Sequence, residues 1–75
     1  MNQQRRREID ALRDELDLCL DRLGAIESDE EDYRDNIPEN LESSERYIKS
    51  DESIDWLNTA CESLEETISS LGEIE

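Results

Sequence analysis

Residues 36–40 read Asn36-Ile37-Pro38-Glu39-Asn40 and divide the chain near its middle. Pro38 has no backbone N–H group to donate and disfavours helical geometry at Ile37, while asparagines favour turn and cap conformations. A helix that arrives from the N-terminal side is therefore expected to stop here, and the chain is expected to fold back on itself.

The apolar residues on the two sides of this turn are arranged as mirror images. In each mirror pair the two residue numbers add up to 80. The pairs are Ile9 and Leu71, Leu12 and Ile68, Leu16 and Leu64, Cys19 and Cys61, Leu23 and Leu57, Ile26 and Ile54, and Tyr33 and Tyr47. Glu30 and Ser50 interrupt the two series at mirrored positions, so we expect them in one layer of a helical hairpin.

Within each half the apolar residues recur at intervals of three and four, which is the stripe of a coiled coil. The pattern predicts an all-α fold in a single domain over 1–75, namely an antiparallel two-helix coiled-coil hairpin. The first helix is expected over about 5–34, the turn over about 35–43 and the second helix over about 44–71. Ser44 is the expected N-cap of the second helix, and Leu41 is expected to fold under the tip, where Tyr33 and Tyr47 close the seam.

Three local features qualify this outline. Arg5–Arg7 stand where the helix dipole disfavours cations, so the first turn is expected to fray. Gly24 is either a tolerated surface glycine or the mark of a bend or a close approach. Gly72 is expected to end the second helix, with Ile74 packing back.

The composition argues against catalysis and metal binding. The 75 residues carry 23 acidic and 8 basic side chains, a net charge of −15, and no histidine. Such a charge repels nucleic acid and anionic membranes and attracts basic protein surfaces. Paired carboxylates on a two-helix seam also lack the desolvated pocket that acid–base catalysis needs. We therefore expect no enzyme, no catalytic residue, no cofactor, no metal, and no direct binding of nucleic acid or membrane.

Cys19 and Cys61 fall in one predicted layer. A disulfide, a redox switch and a zinc site shared by two copies are the alternatives to two reduced thiols in small core positions, which we favour. The acidic run Asp29–Asp32 lacks the loop pattern of a calcium site. With a charged N-terminus and no apolar segment long enough for a bilayer, the protein is expected to be cytoplasmic.

One side of the hairpin carries little charge and is expected to be an interface, with a tryptophan as its anchor. Its predicted residues are Leu18, Trp56, Ala60, Ala11 and Ala25. A lone hairpin below about 80 residues is marginally stable. We therefore expect this side to be buried, most simply by a second copy that completes a homodimeric four-helix bundle, or alternatively by a foreign partner.

The opposite side and the outer face display carboxylates at helical spacing, with Leu20 as the apolar exception. This predicted acidic binding face consists of Asp10, Asp14, Asp17, Asp21, Asp51, Asp55, Glu62, Glu65 and Glu66. On a helix, residues three or four apart lie about 5 to 6 Å from each other. The face therefore forms ladders of negative charge.

The tip also carries a family resemblance, over Asp32-Tyr33-Arg34-Asp35-Asn36-Ile37-Pro38-Glu39-Asn40-Leu41-Glu42-Ser43-Ser44-Glu45-Arg46-Tyr47. This segment resembles a group of very short acidic helical proteins predicted in phages and prophages of Gram-positive bacteria. Trp56, Asn58 and Cys61 depart from the acidic and leucine-rich second helix that is usual in the group. The resemblance implies a mobile-element origin, where small acidic proteins often inhibit host defence systems, and it carries over no functional residues.

Two functions follow as hypotheses. The leading one is a small acidic phage-type inhibitor that binds a basic host protein in the bacterial cytoplasm, such as a defence nuclease complex. In that case its carboxylate ladders act as a nucleic-acid mimic, in the manner of an anti-CRISPR protein. The alternative is a structural or adaptor coiled coil, in which the Trp56 side binds the partner and the acids only keep the surface hydrated.

Overall fold

The computed structural model describes residues 1–41 and 44–74 and confirms the all-α helical hairpin. Helix α1 spans Gln3–Asp35, a short 3-10 turn spans Glu39–Leu41, and helix α2 spans Glu45–Gly72. The two helices pack along their lengths into a rod of 59 × 14 × 12 Å. Glu42 and Ser43, which the sequence placed in the turn, lie outside the described residues.

Helix α1 begins at Gln3, ahead of the three arginines that were expected to disfavour its first turn. Asn2 caps it, because the side-chain Oδ1 of Asn2 accepts a hydrogen bond from the backbone N–H of Arg5 at 2.8 Å. The first turn, which the arginines were expected to destabilise, is therefore formed and capped. Such a cap stabilises a helix by about 1 kcal/mol, which is comparable to the cost of a cation near a helix N-terminus.

The tip is closed by Ile37. The side-chain amide of Asn36 donates to the Asp32 carbonyl at 2.8 Å and ends α1, after which Ile37 turns inward with 7% of its surface exposed. Leu41 was expected in this role, but it is 40% exposed, so that prediction is wrong.

Helix α2 begins and ends close to its predicted bounds. The Ser44 hydroxyl accepts a hydrogen bond from the Tyr47 N–H at 3.3 Å, which confirms the predicted cap. The helix ends at Gly72. Beyond it, Ile74 lines a small groove with Ile9 of α1 but remains 40% exposed, so the predicted packing of Ile74 is partial.

The face of α2 that meets α1 is the predicted one. Its side chains are buried or half-buried, and they are Tyr47, Ser50, Ile54, Leu57, Cys61, Leu64, Ile68 and Leu71. Ser50 is the most deeply buried of the described residues, at 3% exposure. Its hydroxyl donates to Glu30 Oε1 at 2.9 Å, which confirms that these two polar residues share a layer.

Helix α1 is rotated relative to the prediction. Ile9, Leu16 and Leu23 face α2 as expected. Four residues predicted in the seam are instead exposed: Leu12, Cys19, Ile26 and Tyr33. The half-buried residues beside them are each one position later in the chain: Arg13, Leu20, Glu27 and Arg34. At 100° per residue, the centre of the contact moves by roughly 50°, so the predicted α1 stripe and the outward position of Leu20 are wrong.

Polar bonds across the seam account for this rotation. Arg34 Nη1 donates to Asp51 Oδ1 at 2.8 Å. Glu27 accepts hydrogen bonds from Asn58 Nδ2 at 3.3 Å and from Cys61 Sγ at 3.5 Å. The aliphatic stems of long charged residues cover apolar surface while their ends find polar partners. The rotation therefore gives Arg34 and Glu27 polar partners on α2. It leaves the preceding residues, Tyr33 and Ile26, exposed to solvent.

Candidate functional site: two interaction surfaces

The rotation of α1 creates an apolar surface along one side of the rod. We call it the apolar face, and it comprises Leu12, Cys19, Ile26, Tyr33, Ser53, Trp56, Ala60, Ser63 and Thr67. Two adjoining shallow grooves share Ile26: one continues to Trp56 and Ala60, and the other runs past Cys19 to Leu64. Trp56 is 75% exposed, which is unusual for the largest apolar side chain in the protein.

Only some of the residues predicted for this interface lie on the apolar face. Trp56 and Ala60 lie on the apolar face. Ala11, Leu18 and Ala25 are exposed on the side of α1 that points away from α2, so they do not meet Trp56 as predicted. The row that takes their place on α1 is Leu12, Cys19, Ile26 and Tyr33, whose members are seven residues apart. The sequence contained a signal for this arrangement, since Leu20 made a second apolar stripe possible.

The other side of the rod holds an acidic groove. It is lined by Leu20, Asp21, Gly24, Glu27, Asn58, Cys61, Glu62 and Glu65. Of the predicted acidic face, the structure thus brings Asp21 of α1 together with Glu62 and Glu65 of α2. Asp10, Asp14 and Asp17 continue the ladder along exposed α1, and Asp55 and Glu66 are exposed on α2.

Asp51 does not belong to the free acidic surface. It accepts the hydrogen bond from Arg34, which also contacts Asp35 at 3.1 Å. The hydrogen bonds from Arg34 to Asp51 and to Asp35 raise the pKa of the guanidinium above its usual value. Asp51 therefore links α2 to α1 near the tip, and among the residues predicted for the acidic binding face it is the one that forms a salt bridge.

Most carboxylates carry no internal counter-ion. Among the acidic residues that the structure describes, Asp35, Asp51 and Glu45 are the ones that form salt bridges. Of the others, Glu27 and Glu30 accept hydrogen bonds across the seam, and most of the remainder are exposed. This leaves the acidic groove and the α1 ladder available to a cationic surface.

The two cysteines lie in different environments, and Cys19 does not occupy the core position predicted for it. Cys19 is exposed on the apolar face, and Cys61 is half-buried beside the acidic groove; both are free thiols. Burial raises the pKa of the Cys61 thiol, and the hydrogen bond to Glu27 and the charges of Glu27 and Glu65 raise it further. Cys61 is therefore held as the protonated thiol, which is a poor nucleophile.

None of the helices within residues 1–41 and 44–74 is both long and apolar enough to cross a membrane. In the same ranges, no three side chains among the cysteines and carboxylates converge as metal ligands would. The chain matches no protein-family model, and no curated protein or solved structure shows significant similarity to it.

Proposed function

We propose that this protein is a non-enzymatic inhibitor that binds a basic surface of another protein through its acidic groove. The target in this proposal is a nucleic-acid-binding protein of a bacterial host, such as a defence nuclease complex in the cytoplasm. The tip that resembles phage proteins supports this class of target. The observation that carries the proposal is the excess of hydrated, unpaired carboxylates on a preformed rod.

The density of carboxylates supports mimicry of a nucleic-acid backbone only when both ladders are counted, because the charges along α1 alone are more widely spaced than the phosphates of a DNA strand. Asp10, Asp14, Asp17 and Asp21 follow one another at four, three and four residues, so a charge recurs about every 5.5 Å along α1. A DNA strand places one phosphate about every 3.4 Å along its axis. The carboxylates of Glu62 and Glu65 across the groove add a second ladder, which raises the density of negative charge on this side of the rod.

Rigidity also favours this function. Both helices are continuous through the groove, so the backbone positions that carry the carboxylates are fixed before the partner arrives. Binding then orders little of the chain, and the entropic cost of association falls mainly on the loss of translation and rotation.

Charge-neutralised variants test this function by capture of proteins from a bacterial lysate. The groove variant carries Asp21→Asn, Glu62→Gln and Glu65→Gln, three residues that line the groove. A control variant with the same net charge carries Asp32→Asn, Glu39→Gln and Glu52→Gln, which lie outside the groove. Exposed ion pairs contribute about 0.2 to 1 kcal/mol each, so the groove variant is expected to bind the captured protein about tenfold more weakly, and the control to bind it normally.

Raising the salt concentration from about 50 to 300 mM is expected to release the same protein, because screening shortens the range of the attraction. A captured protein that resists salt, or that both variants bind equally well, would contradict binding through the acidic groove.

The exposure of Trp56 favours a second candidate function, that of an adaptor coiled coil. In that case the partner docks on the apolar face and the acids contribute only hydration. Trp56→Ser is then expected to abolish capture of the partner, whereas the groove variant retains it.

A further inference from the structure

The hairpin exposes more surface than a compact chain of its mass. Its accessible area is 5847 Å², compared with about 4,800 Å² for a typical folded monomer of 8.8 kDa. Its radius of gyration is 17.3 Å, compared with about 11 Å for a compact domain of this length. The excess area, about 1,000 Å², is close to the roughly 800 Å² that each partner buries in a standard interface.

The interior is correspondingly small. Ile37 and Ile54 are the only apolar residues among 1–41 and 44–74 that are buried, and neither is completely enclosed. A helix of a four-helix bundle presents an apolar stripe wider than 100°, which meets two neighbours. In α1 the second neighbour is missing, since α2 covers Leu16 and Leu20 but leaves Cys19 and Ile26 open.

The uncovered row has the geometry of a helix-packing surface. Leu12, Cys19, Ile26 and Tyr33 recur every seven residues and extend for about 32 Å along α1. On α2, the small residues Ser53, Ala60, Ser63 and Thr67 lie beside this row. Sevenfold spacing is the repeat with which one helix packs along another, and small residues let two helices approach closely.

Charge identifies what covers this face. The rod has Arg5–Arg7 at its open end and the acidic run Asp29–Asp32 next to its tip. Two copies that lie antiparallel place the arginines of each copy beside the acidic run of the other. Two parallel copies would place the two acidic runs together, which is repulsive. We propose that the apolar face docks a second copy of this chain in the antiparallel orientation, so that α1 packs on α1 and α2 on α2.

The pairing of the arginines with the acidic run sets a register with Cys19 near the two-fold axis. In this register Leu12 meets Ile26 of the second copy, Arg22 meets Glu15, and Glu8 meets Asp29. A shift by one heptad would bring together the two Arg22 side chains or, in the other direction, the two Glu15 side chains. In the favoured register Trp56 lies over the small residues Thr67 and Ser70 of the second α2, where its ring has room.

The dimer does not depend on the function of the acidic groove, because the groove lies on the opposite side of the rod. Light scattering coupled to size-exclusion chromatography measures the mass of the wild-type protein, which is expected to be twice 8.8 kDa. Ile26→Ser is expected to give a monomer at the concentration at which wild type is dimeric. Leu18→Ser, which changes an exposed apolar residue outside the face, is expected to remain dimeric. Circular dichroism checks that both variants stay helical.

Orientation is measured with a spin label on Glu39→Cys in a Cys19→Ser, Cys61→Ser background. Antiparallel copies place the two tips at opposite ends, so the distance between labels is expected to approach the rod length of 59 Å. Parallel copies would give less than about 25 Å, since neighbouring helices lie about 8 to 10 Å apart.

Charge exchange tests the register. Arg22→Glu is expected to weaken the dimer about tenfold, because it faces Glu15, and the double variant Glu15→Arg, Arg22→Glu is expected to restore it. A monomeric wild-type protein would overturn the dimer and leave the face to a foreign partner. Closely spaced tips would overturn the antiparallel arrangement, and failure of the double variant to restore the dimer would overturn the register.

Discussion

Replacement of Gly24 by alanine is expected to stabilise the hairpin. Gly24 lies within α1, its φ is not positive, and a Cβ added to it meets no atom within 4 Å. Glycine in the middle of a helix costs about 0.5 to 1 kcal/mol relative to alanine, because the unfolded chain loses more conformational freedom on folding. Since the Cβ encounters no neighbour, nothing in the fold opposes this gain.

The gain converts into a shift of the melting temperature. Unfolding entropy is about 2.1 cal/mol/K per residue, or about 0.16 kcal/mol/K for 75 residues. The Gly24→Ala variant is therefore expected to melt about 3 to 6 °C higher than wild type. Thermal denaturation followed by circular dichroism at 222 nm measures this shift. Both proteins are compared at the same concentration, because association makes the melting temperature depend on it.

Gly72→Ala is the matched control. A Cβ at Gly72 would lie 3.0 Å from Arg13 Nη2 and 3.3 Å from Arg13 Cζ, so the guanidinium must move. Gly72 is also the last residue of α2, where the helix gains less from alanine. No rise in melting temperature is expected for this variant. An unchanged or lower melting temperature for Gly24→Ala would contradict the expectation that glycine at this position destabilises α1.

Two further predictions concern the seam. Ser50→Ala is expected to lower the free energy of unfolding by about 1 to 2 kcal/mol, measured in urea, because the hydrogen bond from a buried hydroxyl to the Glu30 carboxylate is lost. Glu27→Gln is expected to lower the pKa of Cys61, since Glu27 accepts its hydrogen bond and carries a nearby negative charge. In a Cys19→Ser background the variant should therefore react faster with iodoacetamide near pH 8, because only the thiolate attacks.

Controls of similar chemistry accompany these two changes. Ser69→Ala removes an exposed hydroxyl and should change stability by less than about 0.5 kcal/mol. Glu62→Gln removes a charge from the same groove without a bond to Cys61, so it should accelerate alkylation less than Glu27→Gln does. Equal effects from a variant and its control would show that the specific hydrogen bond is not the cause.

The buried face of helix α2 could be predicted from the sequence because its apolar residues form a single stripe. Apolar residues recur at three and four from Tyr47 to Leu71, only Ser50 interrupts them, and no second stripe competes. The cap at Ser44 and the layer of Glu30 and Ser50 followed from residue type and position alone. These features depend on the types of neighbouring residues and on the position of the turn, and both can be read from the sequence.

Helix α1 could not be predicted in the same way because it offers two stripes that share Ile9, Leu16 and Leu23. The choice between Cys19 and Leu20 depends on where Arg34 and Glu27 find partners across the seam, and those partners lie 17 and 31 to 34 residues away in the chain. The same pairing gives Asp51 a counter-ion. A pattern that counts apolar residues treats such polar positions as solvent-facing, so it did not predict that Leu12, Cys19, Ile26 and Tyr33 would be exposed beside Trp56.

The bond between Ser50 and Glu30 has a consequence for how the hairpin forms. It closes a loop of 20 residues, whereas the contact of Arg13 with the end of α2 at Gly72 closes nearly the whole chain. Loop closure at the open end is about 1 kcal/mol less favourable than at the tip, because its entropic cost grows with the logarithm of loop length. The hairpin is therefore expected to zip from the tip, with Ile37 and Ser50 ordered first and the arginine-rich end last to join and first to open.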